Sequence, residues 1–161
     1  MEASTHIVGG FLAGMILSSV SLLDPIFVAG TCTVATISSL IPDIDLCTSK
    51  MGHKTKPVSF VISRLFGHRT LFHSPILYIA IYCLMTKYLA RYEWLIAAFA
   101  IGIASHLFLD MLNRKGIPLF YPVSKHYHLA TIKCGGRGEL ALRIMLALMS
   151  CVVFLILLAR G

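Results

Sequence analysis

An all-α fold is predicted, a polytopic helical membrane bundle of four to five apolar helices with a polar site at their cytoplasmic ends. Three observations predict it. Of the 161 residues, 57% are hydrophobic and 13% charged, against about 25% charged in a typical soluble domain. Apolar stretches recur that are long enough to span or deeply enter a bilayer, and mean hydropathy is +0.82. Four of the seven acidic residues, Asp43, Asp45, Asp110 and Glu139, stand with His6, His68, His73 and His106 at the ends of those stretches, with no cluster in mid-span. The length allows a single membrane-embedded domain over residues 1–161.

Taken in order, the apolar segments run over Ile7–Leu23, Ile26–Ile41, Pro75–Thr86, Trp94–Leu112 and Leu140–Ala159. The first two are short for a span of ~20 residues. Only Asp24-Pro25 separates them, where Pro breaks the helix and Asp can cap the next, so a tight helical hairpin is expected. The third is interrupted by Lys87 and Arg91, whose stems snorkel to the interface while Tyr82, Tyr88, Tyr92 and Trp94 anchor at headgroup level. The fourth and fifth are long enough to span. An arrangement of four spans with one partial helix stays open beside the five-span one.

With five spans the N-terminus, loop 42–74 and loop 113–139 share one side. Those loops hold Lys50, Lys54, Lys56, Arg64, Arg69, Arg114, Lys115, Lys125, Lys133 and Arg137, and only Lys87, Arg91 and Arg160 lie opposite. Positive charge marks the cytoplasmic face, so the site is expected there. Met1 to His6 contains no Lys or Arg, so the first helix is not expected to be a removed signal peptide. The net charge of +7 lies in juxtamembrane loops, which points to anionic lipid headgroups as partners and not to nucleic acid. Five cysteines without a C-x-x-C pair have no metal-ligand spacing and are expected to pack in helices, and nothing in the sequence bears on oligomeric state.

Ionisable groups at a bilayer boundary are costly unless paired or coordinated, so the clusters read as a metal site. His106 and Asp110 are four apart on a helix and point from one face, able to reach one ion or bridge two, although such a pair also serves as a structural hydrogen bond. Asp43 and Asp45 in Pro42-Asp43-Ile44-Asp45 can present oxygens to one or two cations, or cap a following helix. Gly67-His68-Arg69-Thr70-Leu71-Phe72-His73-Ser74-Pro75 supplies two imidazoles, a guanidinium and a hydroxyl, or alternatively a basic interfacial turn. His6 and Glu139 sit at helix starts, where a cap is the ordinary role. His53, His126 and His128 are read as surface residues.

The ordered set Pro42-Asp43-Ile44-Asp45, Phe66-Gly67-His68-Arg69 with His73-Ser74, Ser105-His106 with Asp110-Met111-Leu112, and Gly116-Ile117-Pro118-Leu119 before Tyr121-Pro122 resembles the YdjM-like family of bacterial inner-membrane metal-dependent hydrolases, from about His6 to Glu139. The ligand pattern is also distantly similar to zinc-dependent phospholipase C. The resemblance implies a membrane-bound hydrolase acting on a phosphoester or lipid headgroup through one or two divalent ions, Zn first, with Mn or Fe as alternatives. In that reading His73, His106, Asp110 and Asp45 are direct ligands, with His6 or Asp43 completing a second ion. His68 or Glu139 acts as base or orients a ligand, and Arg69 holds a phosphate oxygen. Two competing expectations are a metal-ion or proton transporter and a non-catalytic lipid-binding membrane protein with a structural metal.

Overall fold

The computed structural model describes residues 1–21, 24–45, 71–123 and 125–160, and for Pro25, Asp45 and Arg160 the backbone alone. Among the described residues five α-helices follow one another: α1 Ala3–Val20, α2 Pro25–Ser38, α3 Pro75–Tyr88, α4 Glu93–Met111 and α5 Arg137–Arg160. Short 3-10 turns at Ile41–Asp45, Leu71–His73 and Ala90–Tyr92 extend or join them. The described residues contain isolated bridges and no strand.

All five expected apolar segments are helices, but their lengths differ from expectation. Four stretches are long and apolar enough to cross a membrane: Ala3–Val20, Ile26–Ile44, Ala90–Met111 and Arg137–Ala159. The first two reach that length because α1 starts before Ile7 and the 3-10 turn prolongs α2 through Pro42. Such a turn rises about 2.0 Å per residue, more than an α-helix. The partial helix is α3, with 14 residues, which stops at Tyr88 beside Lys87.

Two helix starts show how local chemistry sets the boundaries. Asp24 is the N-cap of α2, but its carbonyl does the work, accepting the Phe27 and Val28 N–H groups at 2.9 and 3.0 Å, while its side chain makes no capping bond. Pro25 follows, where a missing N–H costs nothing. Ser74 caps α3 through its hydroxyl, which accepts from the Ile76 N–H at 3.4 Å, so the hydroxyl beside His73 is taken up in the helix start.

Helices α1, α2 and α4 form the core. The Ser39 hydroxyl at the end of α2 donates to the His6 carbonyl near the start of α1 at 2.9 Å, and Gly14 lies against Cys32, so the two run antiparallel as a hairpin. Helix α4 runs parallel to α2, with Gly102 against Ala35 and Ser38. A side-chain carbon at Gly14 would stand 2.8 Å from the Cys32 Cα, and one at Gly102 would overlap the Ala35 carbonyl. Apolar surface gains little by leaving lipid for protein, so close backbone approach at small residues is what holds spanning helices together. At the far end Phe27 meets Trp94 edge to face, with centroids 5.4 Å apart, an arrangement worth about 0.5–1.5 kcal/mol beyond area burial.

Helix α3 packs on α4 through Tyr78, Ile103 and Leu107, joined by Ile117 from the following loop. That loop folds back under α4: the Leu129 and Ile132 N–H groups donate to the Met111 and Leu112 carbonyls at 2.7 and 3.1 Å. Carbonyls that a helix end leaves unsatisfied are thereby paired. Gly116, at φ 63°, makes the turn in a backbone conformation that side chains rarely adopt. Helix α5 is fastened at its start, and beyond it Leu148, Val152, Leu155 and Leu158 face outward, as lipid-facing residues do. The cysteines follow the same division: Cys32 is buried, whereas Cys83 and Cys151 are on outward helix faces and Cys134 is exposed in the loop.

Replacing Gly102 with Leu should force α2 and α4 apart, because the clash is with backbone and no rotamer relieves it. Overpacking of this kind costs about 1–3 kcal/mol, so the variant should lose thermal stability in detergent, while Ala104→Leu on the exposed face of α4 should not. Equal melting midpoints for the two would contradict the packing described.

Candidate metal centre

Five side chains from four parts of the chain converge at one end of the bundle. His6 comes from the first turns of α1, Asp43 from the 3-10 turn after α2, His73 from the turn before α3, and His106 with Asp110 from the last turns of α4. The antiparallel hairpin and the parallel α2–α4 pair make this necessary: the start of α1, the end of α2 and the end of α4 must lie together. All five are buried, His6, His106 and Asp110 completely. Packing closes over the site at the helix ends.

Asp110 is the hub. Its Oδ1 accepts the Met1 α-amino group at 2.6 Å and lies 3.4 Å from His6 Nε2. Its Oδ2 lies 3.4 Å from His73 Nε2 and 3.7 Å from His106 Nε2. Asp43 Oδ1 is 3.9 Å from His73 Nε2 and 4.0 Å from His106 Nε2. The His6 and His106 rings stack at 3.8 Å, and His73 meets His106 edge-on at 5.4 Å.

These spacings bear on whether an ion fits. Hydrogen bonds from N–H to oxygen concentrate at 2.7–3.2 Å, shorter than these five imidazole–carboxylate distances among the described residues. Two atoms bound to one tetrahedral ion at ~2.0–2.1 Å are separated by about 3.3–3.4 Å, close to the Asp110 distances. Among the described residues, two sets place one ligand atom of each member within 4.8 Å of the others: His6, His106 and Asp110, and Asp43, His73 and His106. His106 belongs to both. The buried cluster can therefore hold a metal ion, with one or two positions.

A second observation concerns hydrogen bonding. Both ring nitrogens of His6 and Nε2 of His106 are buried and make no hydrogen bond. Leaving such atoms unsatisfied costs about 1–3 kcal/mol each, which coordination would offset. His106 is also prepared for it. Its Nδ1 lies 2.6 Å from the Ser39 carbonyl, which can only accept, so Nδ1 carries the proton and Nε2 is the lone pair aimed at the carboxylates. Ser39 thus orients His106 through its carbonyl and holds the start of α1 through its hydroxyl.

Of the candidate residues, His6, Asp43, His73, His106 and Asp110 are brought together. Asp45 lies in the same 3-10 turn as Asp43, and its side chain, like all of His68 and Arg69, lies outside the described residues. Glu139 is buried at the start of α5, where its carboxylate accepts from the Glu2 N–H at 2.6 Å, the Thr5 hydroxyl at 2.9 Å and the Gly135 N–H at 2.7 Å. Those bonds fasten the start of α5 to the start of α1, beside the cluster's His6. His126 and His128 are exposed, as expected of surface residues, and His53 lies outside the described residues. Sequence reasoning missed Ser39 and the Met1 amine. Ser39 acts through a helix-end carbonyl that no residue type announces; the cue is its position at the end of α2, where carbonyls lack partners.

A family model described as "YdjM inner membrane protein" matches residues 1–161. The chain is 33% identical over 158 residues to the uncharacterized protein YvsG of Bacillus subtilis (strain 168), covering 98% of this chain and 96% of that protein. It is 39% identical over 101 residues to the inner membrane protein YdjM of Escherichia coli (strain K12), covering 59% of this chain and 50% of that protein. The YdjM protein of Shigella flexneri matches over the same extent. No solved structure matches.

His106→Ala and Asp110→Ala should each lower zinc affinity ten-fold or more, as loss of a ligand or its partner typically does; metal analysis after equilibration with zinc reads this, and unchanged content in both variants would sink the ligand assignment. Glu139→Gln should behave differently. One carboxylate oxygen becomes a donor facing N–H donors, at about 1–3 kcal/mol, so its melting temperature should fall while zinc content stays.

Proposed function

The chain belongs to the YdjM inner membrane protein family, and from that premise we propose that it is a membrane-bound, metal-dependent hydrolase cleaving a phosphoester or lipid-headgroup substrate at the cytoplasmic leaflet. The observation that carries this reading is the convergence of three imidazoles and two carboxylates, buried at one end of a membrane bundle, at ligand-to-ligand spacings. Imidazole and carboxylate donors without a cysteine favour Zn²⁺, with Mn²⁺ or Fe²⁺ also suited.

His106, with Nδ1 bonded to Ser39, offers Nε2 to one ion, so either His6, His106 and Asp110 or Asp43, His73 and His106 would hold it, and a second ion would take Asp45 in place of His106. Bound there, the metal supplies Lewis-acid polarisation of a phosphoryl oxygen and acidifies water. The chain's own groups do the rest. Ser39 keeps the His106 tautomer, and packing of α1, α2 and α4 fixes the ligands and excludes bulk water. His68 or Glu139 would take a proton or orient a ligand, and Arg69 would offer a planar two-point fork to phosphate.

The distribution of charge supports the cytoplasmic leaflet. Arg114, Lys115, Lys125, Lys133 and Arg137 lie in and around the loop that folds under the site end of α4, whereas Lys87 and Arg91 flank the opposite end. Positive residues favour the cytoplasmic side. Cysteine labelling near Lys125 should therefore proceed from the cytoplasm, and near Arg91 from the other face alone; the reverse pattern would place the site outside.

The central test is hydrolysis. Purified protein in nanodiscs should release headgroup from a phospholipid or phosphoester panel, stop with chelator and resume on adding zinc. Arg69→Lys keeps charge but loses the fork, so activity should fall about ten-fold or more at unchanged metal content. Absence of turnover by zinc-loaded wild type across the panel would refute the hydrolase, and full activity of the Lys variant would remove the case for a phosphate-bearing substrate.

A further inference from the structure

A cleft of 290 Å³ separates α3 from α4. Pro75, Tyr78 and Tyr82 line it from α3, and Phe99, Ile103 and Leu107 from α4. The small residues Ala100 and Ala104 on α4 leave the space open. Its lining is almost entirely apolar: the Tyr78 hydroxyl is turned away to donate to the Phe72 carbonyl at 2.8 Å, leaving its ring to the cleft, and the surrounding backbone is helical.

Its position relates it to the metal centre. The lining starts at Pro75, two residues after His73, and includes Leu107, which follows His106. From there Leu107, Ile103 and Phe99, four apart, descend along α4 for about 12 Å. The cleft thus runs from the ligand-bearing ends of α3 and α4 down into the spanning part of the bundle.

Resting on the hydrolase reading of the cluster, we propose that this cleft holds an acyl chain of the glycerophospholipid whose headgroup phosphoester is presented to the His/Asp centre. Chemistry and size select this occupant. The lining gives a headgroup nothing to bond, and an empty apolar space forfeits dispersion contacts along its walls. A second protein helix, ~10 Å across, is far bulkier than a single hydrocarbon chain. An extended hydrocarbon chain fits, and within a bilayer it is the apolar group at hand. Held at both ends, by the chain below and the phosphate above, a lipid would have its ester fixed in register with the ligands.

The experiment uses full-length, zinc-loaded protein in nanodiscs containing phosphatidylglycerol with a photoactivatable diazirine in its acyl chain, and maps adducts by mass spectrometry. Adducts should concentrate on 75–82 and 99–107 over the outward face of α5. Ala104→Trp, which fills the cleft, should cut them about ten-fold, equivalent to ~1.4 kcal/mol of chain binding. Ile79→Trp, from the exposed side of α3, is the second variant should the first not fold, and zinc content reports folding in both. Labelling spread evenly over α5 and the cleft, or unchanged by both substitutions, would overturn the acyl site as bulk lipid. Covalent dimers joined at α3 or α4 would overturn it in favour of a second copy. Cleft labelling that the variants abolish, in a protein that hydrolyses no lipid, upholds the acyl site and overturns the hydrolase reading instead.

Discussion

A carboxylate buried at the end of a membrane-spanning helix must be compensated, and the arrangement around Asp110 is that compensation. Unpaired, an Asp in such a segment costs at least ~2.5–3.5 kcal/mol. Here its two oxygens face the Met1 amine and the Nε2 atoms of His6, His73 and His106. The amine pairs with the charge directly and the imidazoles through an ion that the cluster can hold, so compensating one charge brings the start of α1, the turn before α3 and the end of α4 to the same place. The metal-binding geometry and the tertiary fold are to this extent one constraint.

Close helix approach makes the convergence possible. His6 reaches His106 and Asp110 because Gly10 and Gly14 of α1 let α2 lie backbone to backbone against it, and Gly102 lets α4 do the same against Ala35 and Ser38. Larger residues at those positions would move the helices apart by ångströms, more than a ligand set at ~2 Å bond lengths tolerates. The polar contacts at the helix ends, Ser39 to His6 and His106, and Glu139 to Glu2, Thr5 and Gly135, then fix register along the axis. Small residues set the distance between helices and hydrogen bonds set their height.

The same division bears on function. The groups around the cluster are oriented by backbone and buried, whereas the apolar cleft between α3 and α4 opens beside it, on the one helix too short to span. The small residues Ala100 and Ala104 on α4 leave this lateral room beside α3. For a substrate arriving from the lipid phase, entry along that side involves no passage through water.

Membrane character, the number and order of apolar helices, and the residue types at their ends were legible from composition and spacing, because hydrophobicity and the i, i+4 relation of His106 to Asp110 are local properties. Lengths were less so: whether Ile7 or Ala3 starts α1, and whether Pro42 extends α2, depends on what the ends pack against. The separate roles of the carboxylates were not legible at all. Asp110 and Glu139 are both acidic residues at the end of an apolar segment, yet one gathers imidazoles and the other backbone N–H groups. Which neighbours a side chain meets is settled by residues more than a hundred positions away, through helix packing, and spacing along the chain contains no record of it.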